Sequence, residues 1–337
     1  MIFYERLRVV SWLVRDTFRQ SLAYGIFWIL AGVSLVSIVM CASVAVDAPT
    51  TLTAEDGTTD FLPRHDRDAR DRHRAEISGV SIAEGRLTIA FGAIRLPVAR
   101  DARAAVHFLQ LVLACGVADT LGLLLTIIWT AGFLPGFLDG RNLAVLLAKP
   151  ASRRLLLGGK FVGVLSFVLL HATVFVGGTW LMLGLRTGVW DAAYLWSVPL
   201  LLIHFAIFFS FSLVLAVCTR STVLCVFGSI LFWFLCWGMN FGRHEVVAEN
   251  YRASEAVFGS EAVTLVEAAY WTLPKPADVG MLLYEAVDAA GDFGQVAAFQ
   301  QVKEHGDFHP YLSLATSLAF MVLLLAGASR QFSALDY

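Results

Sequence analysis

Long apolar runs set the pattern of this chain, and six of them recur: about Gly25 to Val46, His107 to Leu134, Phe161 to Leu185, Ser197 to Cys218, Thr222 to Phe241 and Tyr311 to Ala328. About 20 residues of helix cross a hydrocarbon layer ~30 Å thick. Each run reaches that length or falls within one turn of it. Inside lipid a backbone must satisfy its own N–H and C=O groups, so each run is predicted as a membrane-spanning α-helix.

The intervening segments follow other patterns. Residues 2–20 bring Phe3, Leu7, Val10, Leu13 and Phe18 roughly to one face, with arginines largely on the other, which predicts an amphipathic helix on the membrane surface (residues 1–24). Its role is open between a simple anchor and a brace for a partner. Asp47 to Glu76 is polar and predicts little order. From Ile77 to Val98 the alternation of Val80, Ile82, Leu87, Ile89 and Phe91 predicts a small β-hairpin, with Glu84-Gly85 as its turn. Between the last two runs, helical periodicity spans Val257 to Tyr270, stops at Trp271-Thr-Leu-Pro-Lys-Pro, and resumes near Val279 to Val287. Trp190, Tyr194 and Trp196 cluster between the third and fourth runs, where amphipathic rings predict an interfacial belt.

Composition agrees with this pattern. Hydrophobic residues make up 58% of the chain and charged residues 15%, against about a quarter charged in soluble domains. The fold class is therefore an all-α polytopic membrane protein with six transmembrane helices. A net charge of −2 offers no basic surface for a nucleic-acid partner. Cys41, Cys115, Cys218, Cys225 and Cys236 show no metal or disulfide spacing and are expected to pack as small apolar residues. No cleavable signal peptide is expected from Met1 to Gln20. Charge also sets sidedness. Arg6, Arg8, Arg15, Arg19, Arg141, Lys149, Arg153, Arg154, Lys160, Arg220 and Arg330 fall on one side by alternation, whereas the 242–310 loop carries eleven acidic residues against four basic ones. Both ends and the 135–160 connector are expected in the cytoplasm. The loop from Asp47 to Arg103 has nine arginines balanced by ten acidic residues, and a loop near that length translocates largely regardless of charge.

The connector holds the most distinctive chemistry. Asp139-Gly140-Arg141 leaves the second run, Leu143, Val145, Leu146 and Leu147 form an apolar turn or two, and Lys149-Pro150 stops it. Ser152 can then cap the helix that begins at Arg153 and Arg154 and passes through Gly159-Lys160. Two readings fit: a helix parallel to the membrane that enters a cleft on a soluble partner, or an interfacial helix whose cations sit on lipid phosphates.

The pattern from Leu146 to Lys160, Leu-Leu-Ala-Lys-Pro-Ala-Ser-Arg-Arg-Leu-Leu-Leu-Gly-Gly-Lys, resembles that of ABC transporter permeases of the ABC-2 type. It is closest to the bacterial branch associated with multicopper-enzyme maturation and gliding. There Pro-x-Ser-Arg, apolar residues and Gly-Lys follow the second of six spans, and the matching positions are Pro150, Ser152, Arg153, Gly159 and Lys160. The first outer loop is longer than usual for the family. The resemblance implies a multi-pass protein of the bacterial inner membrane that works as a homodimer or with a second permease. It implies a coupling helix in which Asp139, Arg141, Leu143, Leu147, Lys149, Pro150, Ser152, Arg153, Arg154 and Lys160 meet a separate ATPase subunit. Gly158-Gly159-Lys160-Phe161 lacks the spacing and the Ser/Thr of a phosphate loop, so ATP-Mg would be bound by that partner and not by this chain. Export driven by the partner is the leading function. A mechanotransmitting or scaffolding component, or an intramembrane enzyme using Asp119, are the alternatives.

Asp119, near the middle of the second run, is costly in lipid and must face protein or water. Its possible partners are His107, His171 and His204. Asp119, His171 and His204 form a candidate intramembrane polar site, open between a substrate or proton path and polar glue with Thr120 and Thr126. Asn240 is a further polar group within a run. Gly132-x-x-x-Gly136 and Gly159-x-x-x-Gly163 each permit close helix approach.

Overall fold

A computed structural model describes residues 2–23, 25–47, 85–98, 102–138, 152–252, 258–287 and 296–334. Helix α1 (Ile2–Ala23) leads into α2 (Gly25–Ala42), and strands β1 (Ala45–Asp47), β2 (Gly85–Ile89) and β3 (Ile94–Val98) follow. A continuous rod then combines α3 (Ala102–Leu111), a π-helical segment (Val112–Gly122) and α4 (Leu123–Phe137). Next come α5 (Arg153–Thr187), a 3-10 turn (Ala192–Trp196), α6 (Ser197–Thr219) and α7 (Thr222–Arg252). Short helices α8 (Ser260–Thr272), α9 (Pro276–Ala286) and α10 (Ala297–Glu304) precede α11 (Pro310–Ala334). Six of the described helical stretches are long and apolar enough to cross a membrane.

Local chemistry sets the boundaries. Ser152 caps α5 by accepting from the Leu155 amide at 3.3 Å, and Gly188 closes that helix with φ +74°. At 35 residues α5 is about 52 Å long, so its ends project beyond the apolar layer that the sequence delimits. Pro276 opens α9 at a position where its missing N–H has no helical partner to lose. The first span ends at Ala42, not Val46, because Ala45–Asp47 leave as a strand.

That strand joins an antiparallel sheet of order β1-β2-β3, with Ala45 opposite Thr88 and Leu87 opposite Leu96. A hairpin forms within the predicted Ile77–Val98 stretch, but not the one expected: Val80 and Ile82 lie outside the described residues, and the turn is not at Glu84-Gly85. Gly85 opens β2, and the reversal falls at Ala90–Ala93, where Ala90, Phe91 and Gly92 have φ of 54°, 56° and 92°. The Ser43 hydroxyl accepts from the Ala90 amide at 2.9 Å and ties this turn to the end of α2.

Helix α6 is the axis of the bundle. Of its apolar window 67% is buried, against 17–39% for the other five spans, and α4, α5, α7 and α11 pack around it. Phe205 and Phe209 stack at 5.2 Å, and Phe161 stacks on Phe209 at 5.3 Å. A second core gathers Val44, Leu87, Val106, Phe175, Leu183 and Leu283 beneath the sheet. Tyr194 belongs to this core and not to an interfacial belt: it is fully buried, its hydroxyl 3.1 Å from Thr179 Oγ1. Trp190 lies over Gly184, where a Cβ would come within 2.5 Å of the indole. Trp196 remains exposed.

Candidate functional site

The connector ends on a tightly built junction. Asp139, Arg141, Leu143, Leu147, Lys149 and Pro150 lie outside the described residues, which resume at Ser152. Helix α1 packs along the first half of α5 through glycines. A Cβ at Gly159 would come within 2.4 Å of the Leu13 side chain, and one at Gly163 within 2.7 Å of Thr17 Oγ1 and 3.3 Å of the Val14 backbone. Of the two small-residue pairs, Gly159/Gly163 is thus a helix contact, whereas nothing lies within 4 Å of a Cβ at Gly136. The buried seam of α1 is Leu13, Thr17 and Ser21 at four-residue spacing. Thr17 and Ser21 donate to the carbonyls of Leu13 and Thr17, at 2.8 and 2.6 Å, so these hydroxyls pack without an unmet donor. Phe18 packs edge-on to Phe167 at 4.9 Å, and Leu7 of the predicted apolar face is exposed.

Lys160, expected in the cytoplasmic connector among the residues that meet the ATPase subunit, turns inward instead. It is fully buried, donates to Gln20 Oε1 at 2.7 Å, and stands 3.8 Å from Asp16 and 5.2 Å from the centre of the Phe137 ring. It therefore joins α1 and α5 to the last residues before the connector. Arg153 points its guanidinium at the carbonyls of Phe332 and Ser333, 3.5 and 3.4 Å away, at the end of α11. Such a cation complements the negative end of that helix. Ser152 and Arg154 are exposed, as are Arg8, Arg15, Arg19, Arg220 and Arg330.

The candidate polar site within the spans is divided by the fold. Asp119 and His204 meet at 2.5 Å between Oδ1 and Nδ1, both buried. His171 turns elsewhere, with Nε2 3.1 Å from Ser34 Oγ, and His107 stands 3.9 Å from Asp191. Thr120 and Thr126 do not bridge helices. They donate within their own rod, to Cys115 O at 2.9 Å and Gly122 O at 2.6 Å. Asp119 lies in the π-helical segment, whose wider winding carries one more residue per turn past α6.

A third cluster escaped sequence reasoning. Asp278, fully buried at the start of α9, accepts from Asn240 Nδ2 and His244 Nε2, each at 2.8 Å, from Tyr270 at 2.6 Å, and from Ser313. The Asn240 carbonyl in turn accepts from the Ala277 and Asp278 amides at 2.9 and 3.1 Å. Burial alone would raise the Asp278 pKa, but His244, Ser313 and Tyr270 outweigh it and hold the carboxyl below the ordinary carboxylate range. Burial, and then the neighbouring Asp278, push the Tyr270 phenol up. Beside them Lys275 donates to Leu273 O and Thr316 Oγ1 over the Tyr270 ring. Burial lowers its pKa to about 8, against the upward pull of Asp278 and Cys236. The cluster binds α7, α8, α9 and α11 into one cap. The spacing of Asn240 and His244, one helical turn apart, is the sole trace of it in the sequence.

A search of curated proteins finds no match to the chain. The family model described as ABC-2 family transporter protein, however, matches residues 12–328, from within α1 to within α11. Six spanning helices, a docked amino-terminal helix and a match over nearly the whole length place this chain in the ABC-2 family, as the membrane-embedded permease component of an ABC transporter.

Proposed function

We propose that this permease is of the export type and sits in a bacterial inner membrane with both ends in the cytoplasm. Residues 135–160 dock on a separate ATPase subunit that binds ATP-Mg, and a second permease, identical or related, completes the transporter. The Pro150, Ser152, Arg153, Gly159, Lys160 pattern favours the branch associated with multicopper-enzyme maturation and gliding. One observation carries the reading. The second half of the connector and the start of α5 that continues it are clamped to α1, α4 and α11 together, through Gly159, Gly163, Lys160 and Arg153. A push on the connector is then delivered to most of the bundle and not to one helix. Such coupling requires that nucleotide favour one arrangement of the subunits over the other.

Exposed Arg154 tests docking without disturbing the junction. Arg154→Glu, alone and combined with Arg141→Glu, is expected to lower the ATPase subunit recovered with the purified permease about tenfold, the equivalent of ~1.4 kcal/mol. Unchanged association and turnover in the double variant defeat the docking reading. The rigid outer cap around Asp278 favours a second reading, in which the bundle moves outer elements and nothing crosses. Cargo uptake into inverted vesicles separates the two.

A further inference from the structure

Strand β1 follows closely on α2, and β2 runs back beside it, so the β2–β3 turn returns to the end of that span. Pairing of Ala45 with Thr88 brings Ser43 beside Ala90, whose amide donates to the Ser43 hydroxyl at 2.9 Å. The turn at Ala90–Ala93 therefore sits against the residue that follows α2. There an 18-residue apolar helix, about 27 Å long, has nearly crossed a hydrocarbon layer ~30 Å thick. Other contacts mark the same level. Arg186, in the last turn of α5, donates to the Val44 carbonyl at 3.2 Å. Trp190 and Trp196, which follow that helix, are exposed, and indole rings favour the membrane–water boundary.

The turn has the wrong composition for water. From Leu87 to Ile94 no residue is charged. Ala93 donates to the Ala90 carbonyl at 3.1 Å, and the two residues between them, Phe91 and Gly92, both have positive φ. A water-facing turn of that shape takes Asn-Gly or Asp-Gly, because a short polar side chain tolerates the left-handed region. A bulky residue there is an outlier. Phe91 nevertheless holds this corner and is 79% exposed, with Ile94 beside it 47% exposed. Leu87 and Ile89, by contrast, pack into the core beneath the sheet. Exposed apolar residues grouped at one place mark a contact surface, and the level of this one selects lipid as its occupant. Val36 and Val39, in the adjoining turns of α2, are exposed to the same layer. We propose that the 90–94 tip dips into the bilayer beside the end of α2, with Phe91 and Ile94 among phospholipid chains at the headgroup boundary. The tip ties the three-stranded sheet to the membrane as well as to the bundle. The proposal does not depend on the docking of an ATPase.

The test places nitroxide labels on the full chain in phosphatidylcholine vesicles. Label sites are made by Phe91→Cys, and independently by Ala93→Cys, in a Cys218→Ser background that removes the exposed native thiol and supplies the blank. Collisions with oxygen, which concentrates in lipid, are compared with collisions with a water-soluble nickel chelate. At both positions the oxygen-to-nickel ratio is expected to approach that of Val322→Cys on the exposed face of α11. It should stand severalfold above that of Glu304→Cys, at an exposed polar position on α10. A ratio as low as at position 304 places the tip in water and overturns the proposal. Shielding from both reagents overturns it equally, since a second copy or another part of this chain would then cover the tip. The Ala93→Cys label leaves the Phe91 ring in place and decides if the two positions disagree.

Discussion

Single residues decide whether the helices meet. At Gly163 the neighbour is the backbone of Val14 as well as Thr17, whereas at Gly159 it is the flexible end of Leu13. Gly163→Ala is therefore expected to destabilise the α1–α5 contact by about 1–3 kcal/mol, and Gly159→Ala by less. Thermal melts of the two variants check the order. Asp278→Ala strands several buried donors, each worth about 1–3 kcal/mol when unsatisfied, and should release the outer cap to proteolysis between α7 and α11. Lys275 gives a pH signature. Its folded pKa of about 8 lies below the ordinary 10.5, so between these values the unfolded chain holds more protons than the folded one. Stability then rises with pH. From pH 8 to 10 the melting temperature of the wild type should climb relative to Lys275→Met, in which the tyrosines and cysteines titrate alike, and parallel curves would refute the assignment. Asp119 stood out in the sequence because charge in an apolar run is visible, and Lys160 because it closes the Leu146–Lys160 pattern. Asp278 did not, since its partners lie 34 to 38 residues before it, 8 before it and 35 beyond it, and no spacing rule links such positions.

At the scale of elements, the rod from Ala102 to Phe137 departs furthest from the hydropathy pattern. A uniform apolar run marks a helix but not its winding, and the π-helical segment depends on what packs beside it. Gly122 marks its end, where a Cβ would lie 3.2 Å from the Val117 carbonyl. The Asp119–His204 pair fixes this segment to α6. Asp119→Leu or His204→Leu alone leaves one buried polar partner unmatched and should cost about 3–5 kcal/mol, whereas the double replacement should recover most of that loss. A double-mutant cycle on thermal stability measures the coupling, and additive losses would show that the pair does not hold the segment. The hairpin tells a similar story: alternation located the Leu87–Ile89 strand, but the three-residue β1 and the turn at Ala90–Ala93 depend on pairing with the end of α2. In α1, the predicted apolar face supplies Leu13 to the buried seam, yet the seam also runs through Thr17 and Ser21, whose hydroxyls are satisfied within their own helix.

For the whole molecule, the prediction with the widest reach is sidedness. A cysteine at exposed Ser152 should react with a membrane-impermeant maleimide in inverted vesicles and not in intact cells, and the opposite result would place the junction on the outer side. The number of spans, their approximate limits and the imbalance of charge between the two ends follow from the sequence, because transfer of apolar side chains and the positive-inside bias are additive properties of local composition. Which spans touch is a different matter. That α6 forms the axis, that Lys160 faces inward to Gln20, and that His204 and not His171 takes Asp119 all depend on residues far apart in the chain. Lipid is as apolar as the helices themselves, so hydrophobicity drives every span into the bilayer without choosing its neighbours. Close fit and polar pairing make that choice, and they exist only in the assembled bundle.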